Sequence, residues 1–529
     1  MDLEAAVPQA KKMRTEAAER QQEPEEILGT ASPPAGGAAH SEPTPHGQEP
    51  PAVAGGEEGD GVDRISSLPD AVLGEIISLL PTKDGARTQS LASQWRHLWL
   101  SAPLNLECSG LPYDEEAQVR IISRILAAHP GPGRRLWVPN QHLQHRAPRF
   151  DDWLLSPALD NLQELELDKR KLLLPPFLNC CRHEWSKITK KVNSDNNLKT
   201  EGVSSWYDWG PPVSLPASAF RFSATLRVVT ISQCNLLDQP TETLLFPQLR
   251  QLAFDSVTIS DVSLHSMIAR CPVLECLLFE GSINFECLQI NSPSLTSLAL
   301  RASTNNWKRV NVVIEDAPLL ERLLQLEPLN GLHVSVISAP KLETLGCFSD
   351  LGFSSKLVFA TTVIQDLRAD NITTVVHSVK TLTISIHNLS IDLVIKLMRC
   401  FPCMEKLYIQ SRVSGDTNYW RRKYRIFLRS FDIRLKTVVL KNYPGTNSQV
   451  NFATFFVFNA KRLELMRFEV GKKIDDEIYI AEQRRMLQLE KRASGRARFY
   501  FTTGHGCQQS YSLTHVRHVR DLSTTDPFE

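Results

Sequence analysis

Apolar residues recur along this chain in two distinct rhythms, one helical and one strand-like, and the change from one to the other divides it. Between Leu68 and Leu80 the positions Val72, Leu73, Ile76, Ile77 and Leu80 follow three- and four-residue intervals, which predicts a short amphipathic helix. Pro69 suits its first turn, Asp70 places a carboxylate at the positive end of the helix dipole, and Pro81 stops it by removing the next backbone donor. Thr82 is a candidate cap for a second short helix carrying Asp84, Ala86 and Arg87. Leu91, Trp95, Leu98 and Trp99 then repeat at helical spacing and predict a third. So few residues with so many large apolar side chains cannot enclose them all, and part of that surface is expected to be buried on a partner.

The strand rhythm begins later. Triplets spaced as Leu-x-x-Leu-x-Leu stand at Leu162/Leu165/Leu167, Leu226/Val229/Ile231, Leu249/Leu252/Phe254, Leu274/Leu277/Phe279, Leu295/Leu298/Leu300 and Val379/Leu382/Ile384. More degenerate copies stand at Leu320/Leu323, Leu342/Leu345/Cys347, Met404/Leu407/Ile409, Leu435/Val438/Leu440 and Leu463/Met466/Phe468. From Leu226 to Leu342 the step is about 21 to 25 residues, the range of leucine-rich repeats. Cys271-Pro272, Ser292-Pro293, Ala317-Pro318 and Ala339-Pro340 restrict the backbone just before each strand. One such unit has too little core to stand alone, so neighbours are expected to stack into a curved solenoid of parallel strands with a long concave binding face. The step of about 37 residues from Leu342 to Val379 implies missing or distorted copies. Residues 169–213 interrupt the pattern with Asn179-Cys180-Cys181-Arg182-His183-Glu184-Trp185 and Trp206-Tyr207-Asp208-Trp209, and read as an insertion.

Composition changes the picture at the amino end. Residues 1–62 are rich in Ala, Gly, Pro and Glu, and such a segment buries too little surface to offset its ordering entropy, so it reads as a disordered arm. Over all 529 residues, 59 basic and 59 acidic side chains cancel, which disfavours binding dominated by nucleic-acid phosphates or an anionic membrane. Eleven cysteines form no repeated framework and no long uncharged apolar run occurs, so a reduced, intracellular protein of nucleus and/or cytoplasm is expected. Lys11-Lys12-Met13-Arg14 is a candidate fragment of an import signal.

In Asp63-Arg64-Ile65-Ser66-Ser67-Leu68-Pro69-Asp70, Leu79-Leu80-Pro81-Thr82-Lys83-Asp84 and Trp95-Arg96-His97-Leu98-Trp99 the chain resembles the F-box of plant F-box proteins. Ala92-Ser93-Gln94 departs from the basic residues usual before the tryptophan. The resemblance implies that Leu68, Pro69, Ile76, Ile77, Leu80, Pro81, Leu91 and Trp95 pack into, or support, a groove on a Skp-type adaptor that joins the module to cullin. From Val379 onward the chain resembles the FBD region, in Cys400-Phe401-Pro402-Cys403-Met404-Glu405-Lys406-Leu407, Leu435–Tyr443, Phe455–Ala460, Arg492–Phe499 and Asp521–Phe528. The expected architecture is α/β. A disordered arm (1–62) precedes a small helical F-box (63–108) and an irregular leucine-rich-repeat solenoid with parallel strands (109–378, with the insertion near 169–213). An FBD region (379–470) and its C-terminal extension (471–529) follow.

The resemblance implies a non-catalytic substrate-recognition subunit of an SCF-type ubiquitin ligase, with repeats and FBD binding a protein target for ubiquitination. A non-productive scaffold that binds the adaptor without delivering a target is the alternative. Candidate chemistry elsewhere is thin. Cys400-x-x-Cys403 has zinc or redox spacing but no second pair, and Cys403 is expected to pack in the core. Cys180-Cys181 with His183, the pair His142 and His145, and the pair His515 and His518 lack further ligands. No Gly-rich phosphate loop, nucleophile elbow or His-Glu-x-x-His occurs, so no catalytic, cofactor or metal site is expected.

Overall fold

The computed structural model describes residues 65–112, 114–168, 213–237, 244–281, 285–302, 309–326, 331–350, 355–369, 372–413, 417–424, 426–470, 477–503, 516–524 and 526–528. The proposed arm, residues 169–212 of the proposed insertion, Cys180, Cys181, His183 and His515 lie outside them.

Three helices open the described chain: α1 (Asp70–Leu79), α2 (Thr82–Arg87) and α3 (Trp95–Ser101). Pro69 and Pro81 sit one step earlier than a first-turn proline. Each stands at an N-cap, where its carbonyl accepts the first helical bonds, from Val72 and Leu73 in one case and Asp84 and Gly85 in the other. Thr82 is therefore not a cap. Its hydroxyl donates to the Asn105 carbonyl at 2.6 Å and accepts from the Glu107 amide at 2.5 Å, fastening the module to the strand that follows. The third helix begins only at Trp95, so Leu91 lies in the preceding turn instead of on a helix.

The rest is dominated by one parallel sheet. Among the described residues it has 14 strands, from Leu104–Glu107 at one edge to Arg498–Thr503 at the other. The middle positions of the triplets fall into one register row: Leu165 opposes Val229, which opposes Leu252, then Leu277, Leu298, Leu323, Leu345, Leu382, Leu407, Val438 and Met466. In a pleated strand alternate residues share a face, so this row and the third triplet positions point together into one continuous core. Cys271, Ala317 and Ala339 each accept the amide three residues on, at Leu274, Leu320 and Leu342, so the X-Pro pairs form turns with proline in its favoured second place.

No repeat is missing after Leu342. Thr344–Ser349 pairs directly with Thr381–Asn388, and the extra residues form a hairpin, Lys356–Phe359 against Thr362–Gln365. That hairpin belongs to a second, six-stranded sheet with Cys287–Asn291, Val310–Asp316 and Leu332–Val336. In these repeats the second sheet closes the core, where elsewhere helices do: α4 (Glu115–Ala128), α5 (Gln141–Leu154), and the helices Asp261–Ala269, Ile391–Cys400 and Asn447–Asn459.

Two details of the triplet reading change. In Thr344–Ser349 the register shifts between Leu345 and Phe348, so Phe348, not Cys347, opposes Ile384, and Cys347 turns to the opposite face. Cys403 is only half-buried, with its Sγ 3.8 Å from His377 Nδ1 and accepting from Arg434 at 3.4 Å, while Cys400 is buried in the core.

Among the described residues the large sheet's other face carries no α-helix. Residues 516–528, with a short 3-10 turn at Val519–Ser523, lie against it. Val516, Val519, Leu522 and Phe528 form there a second apolar cluster with Ala253, Cys276, Leu278, Ala299, Leu324, Cys347, Tyr408 and Val439.

Candidate docking module and binding face

The eight residues implied as an adaptor site divide into two sets. Ile77 and Trp95 are buried, at 2% and 5% exposure, and with Leu73, Leu98 and Ala102 they make the module's own core. Trp95 Nε1 donates to Ser66 Oγ at 2.9 Å, which ties the lead-in segment to α3. These two side chains are pillars and present no surface. Leu68, Pro69, Ile76, Pro81 and Leu91 are exposed, and Leu80 is half-buried.

The exposed set is larger than the sequence reading named. Val72 (43%), Ile76 (39%) and Leu79 (65%) stand at four- and three-residue steps on α1, with Ile65 and Leu68 ahead of it and Leu91 (66%) beyond. The signal was present in the spacing of Val72, Ile76 and Leu79. It was obscured because Leu73 and Ile77, one position on, follow the same period on the buried face.

Four further contacts fasten this module to the sheet. Asn105 Nδ2 donates to the Leu80 carbonyl at 2.7 Å, and Arg134 donates to Ser78 Oγ at 2.8 Å. The Gly131 amide donates to His129 Nδ1 at 3.1 Å, which leaves the proton on Nε2, and that nitrogen donates to the Trp99 carbonyl at 3.0 Å. The rings of Trp99 and His129 meet edge-on at 5.2 Å. Burial pushes the His129 pKa down, so the neutral ring this geometry needs is the stable one. His142 is likewise packed, against Trp153, and donates to Gln118 Oε1 at 2.9 Å. Its burial lowers its pKa to about 4.

The helix-free face of the sheet is charged at one end. Arg135 lies 3.1 Å from Glu166, and 3.6 Å from each of Glu107 and Glu164, while Arg520 of the C-terminal segment reaches both Glu164, at 2.7 Å, and Glu166. At the other end Lys406 Nζ and Tyr408 OH both donate to Asp526, at 2.6 and 3.0 Å. Among the described residues no group of three or more His, Cys, Asp or Glu side chains is placed to hold a metal ion, and no helix is long and apolar enough to cross a membrane.

One leucine row running through a parallel sheet, closed by helices or a second sheet on one side only, defines a leucine-rich-repeat-type α/β solenoid. Residues 198–409 match the family model described as the LRR repeats of FBD-associated F-box protein At5g56370, and residues 428–468 match that of the FBD. The chain is similar to the putative F-box/FBD/LRR-repeat protein At4g00315 of Arabidopsis thaliana, 27% identical over 46% of this chain and 48% of the relative. It is also similar to the F-box/FBD/LRR-repeat protein At1g13780 of that plant, 25% identical over 49% of this chain and 53% of the relative. F-box/LRR-repeat protein 13, again from Arabidopsis, is 27% identical over 50% and 52%. This chain thus carries the LRR and FBD regions of FBD-associated F-box proteins, is similar to the F-box/FBD/LRR-repeat proteins of Arabidopsis, and spans about half the length of the curated relatives it matches.

Proposed function

We propose that this protein is the substrate-recognition subunit of an SCF-type ubiquitin ligase. In this reading the helical module docks on a Skp-type adaptor and through it on cullin, while the repeats and FBD hold a protein target. No bond chemistry falls to this chain. It raises the effective concentration of target lysines near the ubiquitin-charged enzyme. The observation that carries the reading is the apolar row Leu68, Val72, Ile76 and Leu79, exposed on a module whose own core and whose fastening to the sheet are otherwise complete. An amphipathic helix of this kind is suited to a hydrophobic groove on a partner.

The test is adaptor capture by the chain carrying Ile76→Asp and Leu79→Asp. Both side chains are exposed, so thermal stability should hold while capture falls by about a hundredfold or more, since burying two carboxylates in an apolar groove costs several kcal/mol. Undiminished capture would sink the docking reading. A second reading, an adaptor-bound scaffold that delivers no target, draws on the C-terminal segment already lying across the helix-free face. Co-purification of cullin with a ubiquitinated client would decide against it.

A further inference from the structure

We propose that the helix-free face of the large sheet is a groove for a peptide wound into a short 3-10 turn, and that residues 516–528 are its resident ligand, excluding an outside segment of the same chemistry. The segment does not behave as another repeat. Among the described residues it makes no strand pairing with the sheet but crosses it, from Glu164 and Glu166 near one edge to Lys406 and Tyr408 eight strands along.

The sheet addresses it as a peptide. Arg301 donates to the backbone carbonyl of Val516, and Arg322 and Ser297 donate to that of Leu522, at 2.8 and 3.2 Å for the latter pair. Guanidinium groups aimed at main-chain oxygens hold a segment by its backbone, whatever its side chains. Selectivity comes from three stations. Glu164 and Glu166 receive the Arg520 guanidinium, and the Glu166 carboxylate is fully buried. A trough of small and medium residues, Ala253, Cys276, Leu278, Ala299 and Leu324, takes Val519 and Leu522. Lys406 and Tyr408 hold the Asp526 carboxylate, while Phe528 meets the Tyr408 ring at a tilt of 41° with centroids 5.4 Å apart and presses on Gly346, where even a Cβ would lie 2.9 Å from the phenyl ring.

The small and medium residues along the trough leave room for Val519 and Leu522 of the segment. A solenoid needing merely to be capped would carry polar side chains there, as exposed sheet faces do. The outside partner that fits is therefore a protein segment able to form the same 3-10 turn, with a basic residue, an apolar residue two positions on, and an acidic-Pro-aromatic ending, the order found in Arg520, Leu522, Asp526, Pro527 and Phe528. Groove and occupant lie outside the helical module, so adaptor binding and peptide binding can fail independently.

The experiment folds the full chain with a site-specific protease sequence set within 504–515, cuts it, and adds a fluorescent peptide of residues 516–529. The cut protein should exchange its own segment for the labelled one, giving a rise in anisotropy, while the uncut protein stays dark to it because the tethered copy competes at high effective concentration. Peptides carrying Arg520→Ala, Asp526→Asn or Phe528→Ala should bind more weakly, the last by about a hundredfold. As a second variant, the uncut chain bearing Leu522→Asp and Phe528→Ala should accept the wild-type peptide in trans. Equal uptake by cut and uncut wild-type chains, no uptake by either released form, or loss of the sheet's cooperative melt when the segment leaves would each overturn the proposal.

Discussion

The helical module and the helix-free face of the sheet both present apolar side chains that the main core does not need, yet they end differently. On the module, Val72, Ile76, Leu79 and Leu91 stay exposed around a small complete core. On the sheet, Ala253, Leu278, Ala299, Leu324 and Tyr408 are covered by a segment more than a hundred residues later in the chain. A protein leaves a contiguous apolar surface open when something outside it is the cover, and supplies the cover itself when the open state is the one to avoid. The comparison teaches that burial alone does not separate structural from functional apolar residues in this molecule. What separates them is whether the covering atoms belong to a layer that the fold requires.

The sharpest way to break this comparison is Trp95→Ala. That side chain is core to the module, so the variant should lose about 3–5 kcal/mol of local stability and adaptor capture together, as followed by hydrogen exchange across residues 70–101. If instead the module keeps its protection and only capture falls, Trp95 is surface chemistry and the pillar assignment is wrong.

Phe528→Ala should come next. Removing a fully buried ring from the resident segment should open residues 516–524 to exchange by about 3 kcal/mol while strand protection at Cys276–Gly281 and Ser297–Ala302 is retained. Loss of protection throughout the sheet would make the segment part of the fold and erase the distinction.

Acidification probes two buried histidines, His129 in the fastening between module and sheet and His142 between α4 and α5. The folded-state pKa values of His129 and His142 lie below the ordinary histidine value, so the unfolded chain binds protons more readily. The His142 contribution is fully present above about pH 6.5 and is lost as pH falls towards 4, by no more than about 3 kcal/mol, and that of His129 is lost in the same direction. Glu115, Arg146 and His145 face the same site, so thermal melts of His142→Gln between pH 7.5 and 4.5 are needed to isolate its share. A variant as acid-sensitive as the parent would remove His142 from the account. Smallest of all, Leu79→Ala should change stability by under about 0.5 kcal/mol while weakening adaptor capture, because its side chain is 65% exposed.

Much of the fold was legible in the triplets because the strand period and the repeat period are both written in the same leucines, and the row from Leu165 to Met466 confirms that reading. Three strands of the large sheet escaped it. In Gly133–Pro139 the first leucine position is occupied by Gly133, where a Cβ would stand 2.7 Å from the Leu159 Cα, so close packing replaced the expected residue. Leu104–Glu107 and Arg498–Thr503 are the edge strands, each with one neighbour, and carry only part of the pattern. The candidate site was legible in part. Helical spacing marked the module, but Ile76 and Ile77 are adjacent in sequence and no periodicity states which of them the module's own core absorbs.

The residues alone determined the order of the repeats described between Leu162 and Phe468, the helical module ahead of them and the lack of any recognisable catalytic motif in the sequence, because these follow from local period and spacing. Only the tertiary structure decided that a second sheet replaces helices behind four strands, that Cys347 and Phe348 exchange faces, and that the last residues lie across the helix-free face. Each of those depends on contacts between residues far apart in the chain, and a pattern read along the backbone holds no record of which distant surface will meet it.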